Sequence, residues 1–152
     1  MTNELVEKGT LKKVTDRGRV SYRLDDNVEA VWMSQEELAE FFCVSRKEIV
    51  LILAKLFKEE IIIKEDHTRR IHYVSDGQDK GQAKQVVQYD LEVIIQCGIQ
   101  LTSEEARQFQ AWITHQIGRL LRWGVHIDPA RIKPSDKRKK QLNRTVERLL
   151  KS

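Results

Sequence analysis

The side chains best suited to do chemistry in this chain are cations, and their spacing suits phosphate rather than catalysis. Ser45, Arg46 and Lys47 open one apolar-periodic segment, and Lys55 and Lys58 follow on it. At a helix start, free backbone N–H groups and the helix dipole favour an anion, so this trio is a candidate phosphate contact. Placing Ile49 at zero on a helical wheel centres the core near Leu53 and Leu56. Lys47, Leu51, Ala54, Lys55 and Lys58 then fall on the opposite face. Lys64, Arg69 and Arg70 form a second cationic group, with Glu65 and Asp66 beside them. Lysine holds phosphate as a point charge but does not distinguish base pairs as bidentate Arg, Asn or Gln does. Val50 and Leu51 interrupt the cationic face with apolar groups, and such residues mark a partner surface, including that of a homodimer.

Catalytic and metal chemistry find little support. His67 and His72 are five apart without Cys, Asp or Glu at zinc-site spacing, and His115 and His126 are isolated. Phosphate-cradling glycine motifs, HExxH and a nucleophile elbow are absent. The pairs Asp25-Asp26, Glu59-Glu60 and Glu104-Glu105 read as solvated or capping acids. No enzyme activity, cofactor or metal is expected.

The elements that must position these residues can be read from period and punctuation. Residues 9 to 33 read as a short β-meander: Val20, Tyr22 and Leu24 alternate with Arg19, Ser21 and Arg23, between turns at Thr15–Gly18 and Asp25–Asn27. Ser34-Gln35-Glu36-Glu37 is a capping box, and Leu38, Phe41 and Phe42 continue at helical spacing. After Cys43 and Val44, a second box, Ser45-Arg46-Lys47-Glu48, starts a helix running to about Glu60. Ile61–Ile63 and Arg70–Val74 read as strands with Lys64–Thr68 at the tip between them, the layout of a wing beside a recognition helix. Ser75–Gly81 reads as a polar loop, and Lys84–Tyr89 as a further strand. Asp90 caps a helix ending near Gly98, and Thr102-Ser103-Glu104-Glu105 is a third capping box before a long helix to Gly124. Pro129 and Pro134 flank a connection to a last amphipathic helix, Asp136 to Leu150. The expected fold is α+β: an N-terminal winged helix-turn-helix with antiparallel β-hairpins, followed by a helical C-terminal part. The expected parts are residues 1–90, 91–130 and 131–152.

Composition bounds the class. The chain has 152 residues, 40% hydrophobic and 33% charged, which suits a folded protein and not a low-complexity one. Its formal charge of +4 is uneven, since nine Lys or Arg and two acids lie between residues 131 and 151. The remainder carries 18 basic and 21 acidic groups. The tail is cationic and the body slightly acidic, so overall charge alone does not argue for nucleic acid. No apolar run approaches the ~20 residues of a membrane span, and no secretory signal is evident. Cys43 and Cys97 sit in apolar periodic segments and read as buried, reduced thiols, consistent with a cytoplasmic location. Trp32 and Trp112 read as core, with Trp123 the most exposed of the three tryptophans.

The string Val31-Trp32-Met33-Ser34-Gln35-Glu36-Glu37-Leu38-Ala39-Glu40-Phe41-Phe42-Cys43-Val44-Ser45-Arg46 resembles the helix-turn-helix opening of the RhuM family of virulence-associated proteins. Tyr89-Asp90-Leu91-Glu92-Val93-Ile94-Ile95-Gln96-Cys97-Gly98 and Arg107-Gln108-Phe109-Gln110-Ala111-Trp112 are similar to a second stretch of that family. The blocks and their spacing cover about residues 20 to 130, mainly the N-terminal part of usually longer family members. The resemblance implies a DNA-binding regulatory protein of bacterial genomic islands and mobile elements, distantly antirepressor-like, without known enzymatic activity. Its partner would be double-stranded DNA. The chain departs from the family at Val50, Leu51 and Ile52, where polar and basic residues are usual, and at Glu104 and Glu105. Two uses of the recognition helix therefore stand side by side: charge-driven DNA binding, and a protein-interaction module working through its apolar face.

Overall fold

The computed structural model describes residues 11–24, 30–74, 83–124 and 137–151. The turn expected at Asp25–Asn27, the loop at Ser75–Gly81 and the connection flanked by Pro129 and Pro134 lie outside these residues. The fold is α+β, with two small antiparallel hairpins and six helices among the described residues. None of these helices is long and apolar enough to cross a membrane. The chain divides into two compact units, residues 1–114 and 115–152.

In the first unit, strands β1 (Leu11–Asp16) and β2 (Arg19–Leu24) pair with Leu11 opposite Leu24 and Asp16 opposite Arg19. Arg17 and Gly18 join them with φ of 49° and 77°, the two left-handed residues of a tight hairpin turn. The strands' alternation puts Leu11, Val20 and Tyr22 on one face, where Leu11 and Tyr22 are buried. Helices α1 (Gln35–Phe42) and α2 (Arg46–Lys58) begin at the two capping boxes, and both boxes close reciprocally.

Each of these two helices ends in the same way. At the end of α1, Cys43 N–H donates to the Glu40 carbonyl and Val44 N–H to that of Ala39 (3.2 and 2.9 Å). At the end of α2, Glu60 N–H donates to Phe57 and Ile61 N–H to Leu56 (3.3 and 3.1 Å). Both are Schellman stops, which need a left-handed residue, and Cys43 (φ 51°) and Glu60 (φ 52°) occupy a position that glycine usually fills. The bend turns Cys43 outward, so it is exposed and not the buried thiol expected from its apolar neighbours.

The stop at Glu60 also corrects the wing. Ile61–Ile63 do not form a strand, although Ile62 is buried between exposed Ile61 and Ile63. Three β-branched residues favour extended backbone, but a strand also needs a backbone partner, and the chain bends instead into the short helix α3 (Lys64–His67). The second hairpin is β3 (Thr68–Val74) with β4 (Ala83–Tyr89), in register from Thr68 opposite Tyr89 to Val74 opposite Ala83. Lys64, Arg69 and Arg70 therefore lie before or beside its Thr68–Tyr89 end, away from the Val74–Ala83 end. Met33 bridges Tyr89 through two backbone hydrogen bonds of 2.9 and 2.8 Å, which tie the segment before α1 to β4.

Helix α4 (Leu91–Gln100) starts at its N-cap Asp90 and continues two residues beyond the expected end at Gly98. Gly98 sits inside the helix because it faces the Phe109 ring of α5 (Glu104–Trp123), where a Cβ would lie 2.5 Å from Cδ1. The cap of α5 is Ser103 rather than Thr102. Its hydroxyl accepts from Ala106 N–H at 3.2 Å and donates to the Phe42 carbonyl at 2.7 Å, joining the start of α5 to the end of α1. The Gln110 amide donates to the carbonyls of Gly98 and Leu101 (2.8 and 2.9 Å) and so satisfies the end of α4. Phe42, Phe109, Leu38, Ile49, Leu56, Val31, Val93, Ile94 and Cys97 are the largest of the fully buried side chains among the described residues. Rings of Tyr22, Phe41, Phe42, Phe109 and Trp112 meet edge-on or tilted, with centroids 4.8–6.1 Å apart, within the usual range for aromatic pairs.

The second unit holds the end of α5 and helix α6 (Lys137–Leu150). Ile117, Leu120, Leu121, Trp123 and Leu150 are exposed there, and so are the cations Lys140, Arg144 and Arg148.

Candidate nucleic-acid interface

The outward side of α2 is set by its inward one. Ile49, Leu53 and Leu56 are buried in the core of the first unit, so helical period turns Lys47, Leu51, Ala54, Lys55 and Lys58 to solvent. Lys47, Leu51, Lys55 and Lys58 follow one another at intervals of four or three, along one stripe. At 1.5 Å per residue the stripe is about 16 Å long. Lys55 Nζ donates to Gln100 Oε1 at 3.4 Å, and Lys47 and Lys58 are exposed. Leu51 is 62% and Val50 41% exposed.

The start of α2 is more occupied than its residue types suggest. The Ser45 hydroxyl accepts from Glu48 N–H at 3.2 Å, and the Glu48 carboxylate accepts from Ser45 N–H at 3.0 Å. Ser45 therefore caps its own helix, and Glu48 places a negative charge where a phosphate would sit. Arg46 pairs with Glu36 at 3.2 Å and donates to Gln35 Oε1 at 3.2 Å, both near the surface. Such exposed pairs exchange partners at little cost.

The second cationic group is not gathered into a patch. Lys64 lies in α3 with its ammonium 5.9 Å from the Phe57 ring centre, and Arg70 is exposed on β3. The Arg69 guanidinium stacks 4.4 Å over the Trp32 ring and donates from Nε to Gln88 Oε1 at 2.8 Å. Partial burial lowers its pKa. Arg69 thus braces the sheet. The three tryptophans divide accordingly: Trp32 is half-buried beneath Arg69, Trp112 half-buried in the aromatic cluster, and Trp123 74% exposed.

Of the two thiols, Cys97 is buried, and desolvation pushes its pKa up to about 12. Cys43 is also raised, by desolvation first and then by the Glu105 carboxylate. Neither is an activated nucleophile, since that requires a depressed pKa.

One cluster escaped the reading of the sequence. His67 Nδ1 lies 2.6 Å from Asp90 Oδ2 and 3.9 Å from Glu92 Oε2. The hydrogen bond to Asp90 is the main cause of a raised His67 pKa. No local spacing signals this group, because the β3–β4 hairpin separates His67 from its partners along the chain. The only legible hint was Asp90 as a helix cap.

Comparison with protein-family models, curated proteins and solved structures finds no match to the chain.

Proposed function

We propose that the chain binds double-stranded DNA through α2, as a small regulatory protein of the kind the RhuM resemblance implies. In this reading the first unit acts as a winged helix-turn-helix. Its order supports that: a bridging segment at Met33, two helices joined by a tight turn, then a β-hairpin whose last strand pairs back to Met33. The observation that carries the proposal is the exposed lysine stripe Lys47, Lys55 and Lys58 on the helix that follows the turn. Ammonium groups at these positions reach phosphates, while Leu51 and Ala54 between them contribute apolar contact but no hydrogen-bond code. Affinity is then driven mainly by counterion release, with weak sequence readout.

The test is fluorescence anisotropy with a mixed-sequence duplex over a range of salt. Each neutralised phosphate contributes about 0.9 to the slope of log affinity against log salt, so replacing all three lysines by Ala flattens it by about 2 to 3. Absence of binding at low salt overturns the proposal. If deletion of residues 133–152 removes the slope and the triple variant does not, α6 carries the charge contacts instead of α2.

The exposure of Leu51 and Val50 supports a second use of the same face, self-association or capture of a protein partner. Leu51→Lys separates the two. A DNA binder keeps or gains affinity, whereas a dimer built on this face dissociates and its sedimentation coefficient falls.

A further inference from the structure

We propose that His67, Asp90 and Glu92 form a binding site for a divalent transition-metal ion of borderline character, with zinc as the best fit. Three elements bring the residues together. His67 ends α3, Asp90 follows β4 as the cap of α4, and Glu92 lies in the first turn of α4. Backbone contacts set their separation: Asp90 N–H donates to the His67 carbonyl at 3.2 Å, and Thr68 faces Tyr89 in the ladder beside them. One ligand atom from each of the three lies within 4.8 Å of the other two. A tetrahedral zinc ion with bonds of about 2.0–2.2 Å holds its ligand atoms about 3.4 Å apart, so closing on an ion needs only small side-chain rotations.

The ligands are also partly fixed in advance. Asp90 Oδ1 accepts from Val93 N–H at 3.3 Å, which orients the carboxylate and leaves Oδ2 toward the imidazole. His67 and Asp90 are partly buried, while Glu92 is 66% exposed and free to swing onto an ion. The cluster also borders an open cleft of about 480 Å³, whose wall includes Ile61, Ile63, Asp66 and Gln96. The cleft gives an ion an entry path and room for water at its remaining coordination positions.

Chemistry narrows the ion. An imidazole nitrogen with two carboxylates suits zinc or its close neighbours better than magnesium or calcium, which prefer all-oxygen shells, or copper(I), which prefers sulfur. Bound there, the ion would pin the start of α4 to the junction of α3 and β3. The inference is independent of the DNA-binding proposal.

The test uses the full chain stripped with chelator and titrated by calorimetry with zinc, and separately with cobalt(II) followed by its visible absorption. One ion per chain is expected, with tetrahedral-type cobalt bands and a higher Tm in zinc. Glu92→Gln and His67→Ala are each expected to weaken zinc by more than about tenfold, whereas His72→Ala and Cys43→Ser leave it unchanged. Glu92 is exposed, so its variant remains informative if His67→Ala fails to fold. Absence of zinc uptake by the parent chain, or affinity equal to the parent's in Glu92→Gln and His67→Ala, overturns the proposal.

Discussion

Replacing Gly98 by Ala puts two opposed effects on one site, and the structure gives their balance. In a helix interior the change gains about 0.8–1.0 kcal/mol of propensity. Against this, the added Cβ would lie 2.5 and 2.7 Å from Phe109 Cδ1 and Cε1, and 3.0 Å from Phe42 Cζ. Ordinary contact begins about 1 Å further out. Phe109 is 1% exposed and Phe42 fully buried, with Tyr22, Phe41 and Trp112 rings around them, so neither ring has space to retreat. Overpacking of such a core costs about 1–3 kcal/mol, and the closed ring cluster argues for the upper half of that range. The net expectation is a loss of about 1–2 kcal/mol. In urea, with a slope of roughly 2 kcal/mol per molar, the midpoint falls by about 0.5–1 M at unchanged slope. Emission from Trp32 and Trp112 reports this unfolding. Phe109→Leu should cost less in the Gly98→Ala background than in the parent, because the smaller side chain relieves the clash. An unchanged or raised midpoint in Gly98→Ala would refute the close approach of α4 to α5.

Cys43→Gly and Glu60→Gly should each stabilise the protein, by up to about 1 kcal/mol in urea unfolding, because both positions require a left-handed backbone. A thiol reagent should modify Cys43 in the native protein, with a rate that rises only above the ordinary thiol range, because desolvation and then Glu105 raise its pKa. Cys97 should react only after unfolding, since burial holds its pKa up to about 12; equal native reactivity of the two would contradict the burial. Arg69→Ala should lower stability by about 1–2 kcal/mol through the lost Trp32 stack and Gln88 hydrogen bond, and leave any DNA salt slope unchanged. A flatter slope in that variant would show that Arg69 contacts phosphate after all.

Features governed by neighbours within a turn or two were legible in the sequence. The boxes at Ser34 and Ser45, the apolar stripe Ile49, Leu53 and Leu56, and the consequent exposure of Lys47, Lys55 and Lys58 follow from capping and helical period, which are local rules. Tertiary structure decided what depends on a distant partner. Ile61–Ile63 have strand side chains without a backbone to pair with, and Cys43 lies in an apolar segment but faces outward because a helix stop bends the chain there. Gly98 looks like a helix end until the ring of Phe109 explains why a glycine must continue the helix. The candidate site divides along the same line: one helix suffices to specify the lysine stripe, whereas Arg69 is withdrawn by Trp32, and His67 reaches Asp90 only because a hairpin returns the chain. Period and caps are written in adjacent residues; pairing, burial and convergence depend on where the rest of the chain goes.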